Sequence, residues 1–261
     1  VTQNIGVNMP IRTAAILAIG DELLSGRTRD ANIHFLAGWL GERAIALKEA
    51  RIVADDEAAI VEALNALRTR YDYCFTSGGI GPTHDDITYE AVGKAFGRRV
   101  IEHPEAIRLI RAWYEGKGEE VTPPRRRMAL MPEGAEIVRN PISGAPGVRI
   151  ENVFVMAGVP SIFQGMLGAV DAALERGVFV HARAVTAMGL AESRLAEQLQ
   201  AIQSALKGVA IGSYPIDGDE KGVTIVARSE NETAADAAIA SVSAAMRALG
   251  FEPKIGERAG R

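Results

Sequence analysis

The chain has 261 residues, enough for one large domain or two small ones, with a net charge of −4, 48% hydrophobic residues and 24% charged ones. That balance is ordinary for a globular protein and speaks against nucleic acid or an anionic membrane as the main partner. No apolar run approaches the ~20 residues that span a bilayer, no signal-peptide core precedes Arg12, and the single cysteine, Cys74, allows no internal disulfide, as expected of a cytoplasmic protein.

Residues 1–12 read as a loose tail, and strands and helices alternate from residue 13 onward. Residues 14–19 are wholly apolar, the pattern of a strand buried on both faces. Gly20-Asp21-Glu22 ends it; Ile33, Leu36 and Leu40 then mark a helical face behind Asp30 as N-cap. Residues 44–53 are expected as a second strand, Ile60, Leu64 and Leu67 stripe the next helix, and 71–76 form a third strand in which Cys74 is buried and inert. Helices follow near 86–96 and 104–115, the latter with Pro104 in its first turn. Residues 153–156 are a further buried strand, and a helix starts near Ser161. This alternation predicts an α/β domain over 13–175, a mostly parallel sheet with helices on both faces making three layers.

The pattern changes near Arg176-Gly177. Strands are expected over 178–188, 209–214, 223–228 and 251–255, with helical stripes at Leu195, Leu199, Ile202, Leu206 and at Ile239, Val242, Met246, Leu249. The order β-α-β-β-α-β predicts a small α+β, ferredoxin-like domain over 178–256. Its balanced charge and acidic 215–222 turn make RNA binding there the weakest functional reading.

Ligands of an open parallel sheet bind beyond the carboxyl ends of its strands. Four loops leave such ends here: 20–26, 54–56, 77–86 and 157–160. In the third, Gly78, Gly79 and Gly81 let backbone N–H groups approach an anion, and Thr83 with Asp86 has capping-box spacing, so a helix N-terminus is expected beside them. Asp85 and Asp86 would repel a phosphate unless a cation came between, so the stretch points to phosphate plus metal. If the loops converge, Asp21, Glu22, Asp55, Asp85 and Asp86 supply hard oxygen ligands for Mg²⁺ or another divalent cation. Bland readings stand beside these. Asp55 and Asp56 fit a helix N-cap equally well, and Asp85 and Asp86 fit a helix dipole. Residues 140–147 fit a plain turn, Arg125 to Arg127 a solvated face, and His84 a locally bonded loop residue. No serine sits in G-x-S-x-G, and the histidines at 34, 84, 103 and 181 show no triad partner. If the chain is an enzyme, metal-activated water is the simplest chemistry.

Gly20-Asp21-Glu22-Leu23-Leu24 with Asp30 and Asn32, then Gly78-Gly79-Ile80-Gly81-Pro82-Thr83-His84-Asp85-Asp86-Ile87-Thr88, resemble the MoaB/Mog molybdopterin-binding domain family. The form is that found at the N-terminus of competence/damage-inducible CinA proteins. Pro132-Glu133-Gly134-Ala135, Asn140-Pro141, Ala145-Pro146-Gly147 and Gly158-Val159-Pro160 agree in order and spacing, so the resemblance covers about 12–175. The segment after 178 is similar to the small middle domain of CinA, which implies a stand-alone protein without the C-terminal deamidase domain.

The resemblance implies a small phosphorylated ligand: molybdopterin, ADP-ribose or an FAD-like dinucleotide. It implies either a divalent-metal-dependent pyrophosphatase or a non-catalytic molybdopterin or nucleotide binding module, in a homodimer or homotrimer. Functional acids of the molybdopterin adenylyltransferases fall at Asp55 and Asp86, and Asp85 replaces a basic residue of those enzymes, which is the CinA pattern. Together with the loop reading, this makes Asp55, Asp85 and Asp86 the candidate catalytic residues. Gly20, Gly78, Gly79, Gly81, Thr83, Asn140, Gly147 and Gly158 are candidates for the ligand and its phosphates, and Asp21, Glu22 and Asp86 for the metal. The chain departs from the CinA pattern at Ala157, usually proline, at Ile162, usually glutamate, and at Met128, usually glutamine. These departures keep the non-catalytic alternative open.

Overall fold

The structure, a computed structural model, describes residues 11–218 and 220–256. Most of the expected 1–12 tail lies outside the described residues, but Arg12 already belongs to the first strand. The chain divides into two compact units between Gly177 and Val178.

The strands of the first unit are β1 (Arg12–Ile19), β2 (Ile45–Val53), β3 (Tyr73–Ser77), β4 (Val100–Glu102), β5 (Leu130–Pro132), β6 (Glu136–Val138), β7 (Gly147–Ile150) and β8 (Val153–Met156). Its helices are α1 (Asp21–Leu24), α2 (Asn32–Gly41), α3 (Glu57–Arg68), α4 (Thr88–Ala95), α5 (Pro104–Glu115), α6 (Pro123–Arg127) and α7 (Pro160–Val170). Six strands make one sheet in the order β2-β1-β3-β8-β7-β6. The first four run parallel, and β7 and β6 are added antiparallel. Strands β4 and β5 pair separately.

The apolar run of β1 is explained by its place inside the sheet, where helices cover both faces. Ala15, Leu17 and Ile19 pack with Ile60, Leu64 and Leu67 of α3 and Val92 of α4. Ala14 and Ile16 face Leu36 and Leu40 of α2 and Phe163 and Leu167 of α7. Phe75 of β3 stacks on Phe154 of β8 with ring centroids 5.2 Å apart. Strand β2 carries Lys48, Glu49 and Arg51 because it is an edge, where charge blunts further pairing. Cys74 is fully buried, and burial pushes its thiol pKa up to about 12, so it stays an unreactive thiol.

Two local expectations need correction. The helix after the glycine loop begins at Thr88 with no side-chain cap, because Thr83 and Asp86 bond each other inside the loop instead. Strands β4 to β7 were not expected at all. Each has three or four residues, and Pro132 and Gly147 interrupt their patterns, so no period of two is visible.

The second unit contains β9 (His181–Met188), α8 (Ala196–Ala205), β10 (Val209–Ile216), β11 (Gly222–Ser229), α9 (Glu232–Ala248) and β12 (Lys254–Gly256). Its sheet is antiparallel in the order β10-β11-β9-β12, the ferredoxin-like arrangement. One face packs Val185, Ile225 and Ala227 against Ala238, Val242 and Met246 of α9, with Leu199 and Ile202 of α8 alongside. Asn231 starts α9 by accepting the Ala234 N–H at 3.2 Å. Among the described residues, no helix is long and apolar enough to cross a membrane.

Gly147 opens β7 at a point where a Cβ would meet the Val155 carbonyl oxygen of β8 and the Met166 methyl. Gly147→Ala is therefore expected to cost about 1–3 kcal/mol through overpacking. A lower urea midpoint at unchanged m-value would show this, and an unchanged midpoint would contradict it.

Candidate functional site

The four loops that leave β1, β2, β3 and β8 meet around one cavity of about 570 Å³, within the range of nucleotide-sized sites. The β1 end contributes Gly20 and Glu22, the β2 end Asp55, and the β3 end Gly78 to Pro82 with Asp85 and Asp86. The β8 end contributes Ala157, Gly158, Val159 and Pro160. From farther along the chain come Thr28, Tyr114, Met128, Asn140, Ser143, Ala145 and Ile162.

The glycine loop is held by close backbone contacts. A Cβ on Gly78, whose φ is 113°, would collide with the Ile19 carbonyl oxygen at the end of β1. A Cβ on Gly79, at φ 66°, would collide with the Thr88 hydroxyl. Thr88 is completely buried; its hydroxyl donates to the Gly78 carbonyl at 2.9 Å and its N–H to the Gly79 carbonyl at 3.0 Å. These bonds turn the loop's carbonyls inward. The N–H groups of Gly79, Ile80 and Gly81 donate to no acceptor among the described residues. Free N–H groups in succession form an anion seat. Asp86 closes its far side: one carboxylate oxygen accepts the Thr83 N–H at 2.8 Å and the Thr83 hydroxyl at 2.5 Å, and a Cβ on Gly81 would lie 2.7 Å from it.

The geometry separates the two adjacent acids after β2. Asp56 caps α3 by accepting the Ala59 N–H at 2.8 Å. Asp55 is left to the cavity and accepts the Asp21 N–H at 2.9 Å. Burial raises the Asp55 pKa; the Asp21 N–H partly offsets this, and the charges of Asp21, Glu22 and Asp85 push it up again. The exposed Asp85 is moved the opposite way, below the usual carboxylate range, by hydrogen bonding to Thr83 and its own backbone, with His84 and Arg127 adding their charge.

Several sequence candidates take other places. Asp21 does not line the cavity, and it bonds Asp55 through its backbone. Thr83 and Gly147 do not line it either: Thr83 holds Asp86, and Gly147 serves strand packing. Asn140 lines the cavity, but its amide is spent on its own loop. The nitrogen donates to Ser143 Oγ and the Ala145 carbonyl, and the oxygen accepts from Ile142 and Ser143. Among the described residues, no three Asp, Glu, His or Cys side chains gather closely enough to hold a metal by themselves, so the expected carboxylate cluster is not formed. The arginine run is paired: Arg125 with Glu119, Arg126 with Glu102, and Arg127 with Glu90. His84 is almost fully exposed.

Residues not singled out for the site include Tyr114 and Asn32; Met128, noted as a departure from the CinA pattern, also lines the cavity. Buried Asn32, at the start of α2, donates to Ser77 Oγ and to the Gly158 carbonyl, both at 2.7 Å, and so ties the β3 and β8 loops together. Its signal was its place in the first motif.

Comparison with known proteins shows the family and the fold. The family described as probable molybdopterin binding domain matches residues 15–175. The chain belongs to that family. Residues 180–253 match the middle domain of FAD synthase. Protein PAE0875 of Pyrobaculum aerophilum is 32% identical over 94% of this chain and 97% of its own length. A CinA-like protein of Trichormus variabilis is also 32% identical, over 88% of this chain, but the match spans only 57% of that longer relative. The crystal structure of the protein CinA, of unknown function, from Thermoplasma acidophilum covers 62% of this chain and 97% of its own at 29% identity, with a TM-score of 0.57. The MoaB/Mog-like α/β fold and the CinA-like resemblance are thereby established.

Removing the Asn32 amide leaves Ser77 and Gly158 untied. Asn32→Ala is expected to lower stability by about 1–3 kcal/mol in urea titration and to speed hydrogen exchange at the Gly78 amide. Unchanged exchange there would show that the loops do not need the tie.

Proposed function

We propose that the first unit seats the phosphates of a nucleotide-type ligand on the Gly79 to Gly81 backbone and hydrolyses its pyrophosphate with a divalent cation, on a substrate such as ADP-ribose or an FAD-like dinucleotide. One observation carries this reading. The free N–H groups and four carboxylates, Glu22, Asp55, Asp85 and Asp86, share one cavity that no Lys, Arg or His lines among the described residues. An anion can settle among four acids only if a cation accompanies it.

The carboxylates suit a cation that arrives with its ligand. Mg²⁺ commonly takes one or two protein carboxylates and completes its shell with substrate phosphates and water, which needs no group of three. One or two of Glu22, Asp85 and Asp86, which line the cavity, would hold it. When bound, such an ion neutralises phosphate oxygens and lowers the pKa of a coordinated water. The protein's own part is then positional. The Gly79 to Gly81 N–H groups steady the charge that builds on the phosphate oxygens. Asp55, whose raised pKa brings it nearer to neutral pH, takes the proton from the attacking water as a new P–O bond forms and the bridging P–O bond breaks. Molybdopterin, which also carries phosphate, fits the same seat. The reading includes a homodimer or homotrimer in the cytoplasm, with neither nucleic acid nor membrane as partner.

A second reading is a molybdopterin or nucleotide binding module without chemistry. Ile162 favours it: it lines the cavity and puts an apolar side chain where the CinA pattern carries an acid, and Ala157 beside it departs from the pattern's proline.

Incubation with ADP-ribose and FAD in Mg²⁺, Mn²⁺ or Co²⁺ separates the two. Hydrolysis predicts AMP release that falls about 100-fold or more in Asp55→Asn and in Asp86→Asn. Because only ionised Asp55 accepts a proton, kcat/KM should fall as pH drops through a pKa above that of an ordinary aspartate, and Asp55→Asn should lack that limb. Binding by calorimetry with no turnover above the Asp86→Asn control would favour the module. No binding of any phosphorylated ligand would sink both.

A further inference from the structure

Part of the cavity lining is an apolar wall. Ile80, Tyr114, Met128 and Ala145 line it, and all four belong to the same hydrophobic cluster. Tyr114, in the last turn of α5, is the aromatic residue of that wall. Its ring is held by a cation. The Arg125 guanidinium lies over the ring, 3.9 Å from its centroid, and Arg125 does not itself line the cavity. Arg125 is itself held by the Glu119 carboxylate and, at 2.7 Å, by the Glu120 carbonyl. The turn that follows Tyr114 is also closed, the Tyr114 carbonyl accepting the N–H groups of Lys117 and Glu119 at 2.9 Å. A cavity-lining tyrosine whose ring is held against an anchored guanidinium is preorganised for stacking.

We infer that Tyr114, held by Arg125, is the platform for a planar heteroaromatic ring carried on the phosphorylated ligand. The inference rests on the phosphate reading above and adds the second recognition element. The glycine loop takes the phosphate without regard to what bears it. The Tyr114 wall selects ligands whose sugar phosphate carries a flat ring. A ring lying there shields apolar wall from water and gains stacking; a bare sugar phosphate gains neither.

Calorimetry with AMP, FMN and ribose 5-phosphate, each with Mg²⁺, tests this on wild type, Tyr114→Phe and Tyr114→Leu. The phenylalanine ring should keep the affinity of wild type. Tyr114→Leu should weaken AMP or FMN about 5- to 100-fold, the range for loss of one base–aromatic stack. Ribose 5-phosphate should bind all three proteins alike, which also reports that the variants fold. Loss for AMP alone identifies a purine ring, and loss for FMN alone an isoalloxazine. If Tyr114→Leu binds both ring-bearing ligands as tightly as wild type, or wild type holds ribose 5-phosphate as tightly as either, the platform is wrong and the phosphate seat stands. If wild type binds none of the three, seat and platform fall together.

Discussion

The approach of Gly78 to the end of β1 sets the rest of the site. With no side chain, Gly78 rests against the Ile19 carbonyl, and its N–H reaches the Met156 carbonyl of β8 at 3.2 Å. Gly158 presses on it from the other side, where a Cβ would lie 3.1 Å from the Gly78 Cα. Three parallel strands thus end within backbone contact of one another. Thr88 and Asn32 then hold the loops with buried hydrogen bonds, which keep their strength away from water. Once the Gly78 and Gly79 carbonyls are used internally, the N–H groups of Gly79 to Gly81 remain as the donors of the proposed seat.

The same convergence creates an electrostatic conflict. Four carboxylates share the cavity, and the nearby arginines 125 to 127 are committed to other acids. Behind the larger effect of burial, the charges of Asp21, Glu22 and Asp85 add to the raised pKa of Asp55. Burial first, and the neighbouring acids after it, make Asp55 resist ionisation, while hydrogen bonding favours the ionised form of the exposed Asp85. Environments that drive two acids apart are how one site obtains a proton acceptor and a fixed charge. A ligand that brings both phosphate and cation would relieve the repulsion.

Much of this was legible in the sequence because periodicity and topology constrain it. The apolar 14–19 run, the glycine loop and the β-α alternation were enough to place the cavity at four named loops. The limits were physical. Asp55 and Asp56 differ by one position, and only the direction of the chain leaving β2 decides which caps α3 and which faces the cavity. Asn140 carries a binding-type side chain, yet neighbouring backbone groups consume it. Gly147 reads as a loop glycine, but a long-range contact with β8 accounts for it. Tyr114 and Met128 arrive from α5 and the end of α6, and no local pattern announces a wall assembled by tertiary packing. The second unit was readable as an order of elements, and the short strands β4 to β7 were not readable at all.

The central claim is that the Gly79, Ile80 and Gly81 N–H groups form the phosphate seat. Titration of ¹⁵N-labelled protein with pyrophosphate and Mg²⁺, followed amide by amide, tests it directly. The account predicts the largest shifts at those three amides, with the amides of the β9–β12 sheet unmoved. Shifts concentrated at Arg125 to Arg127, or spread across the second unit, would contradict it.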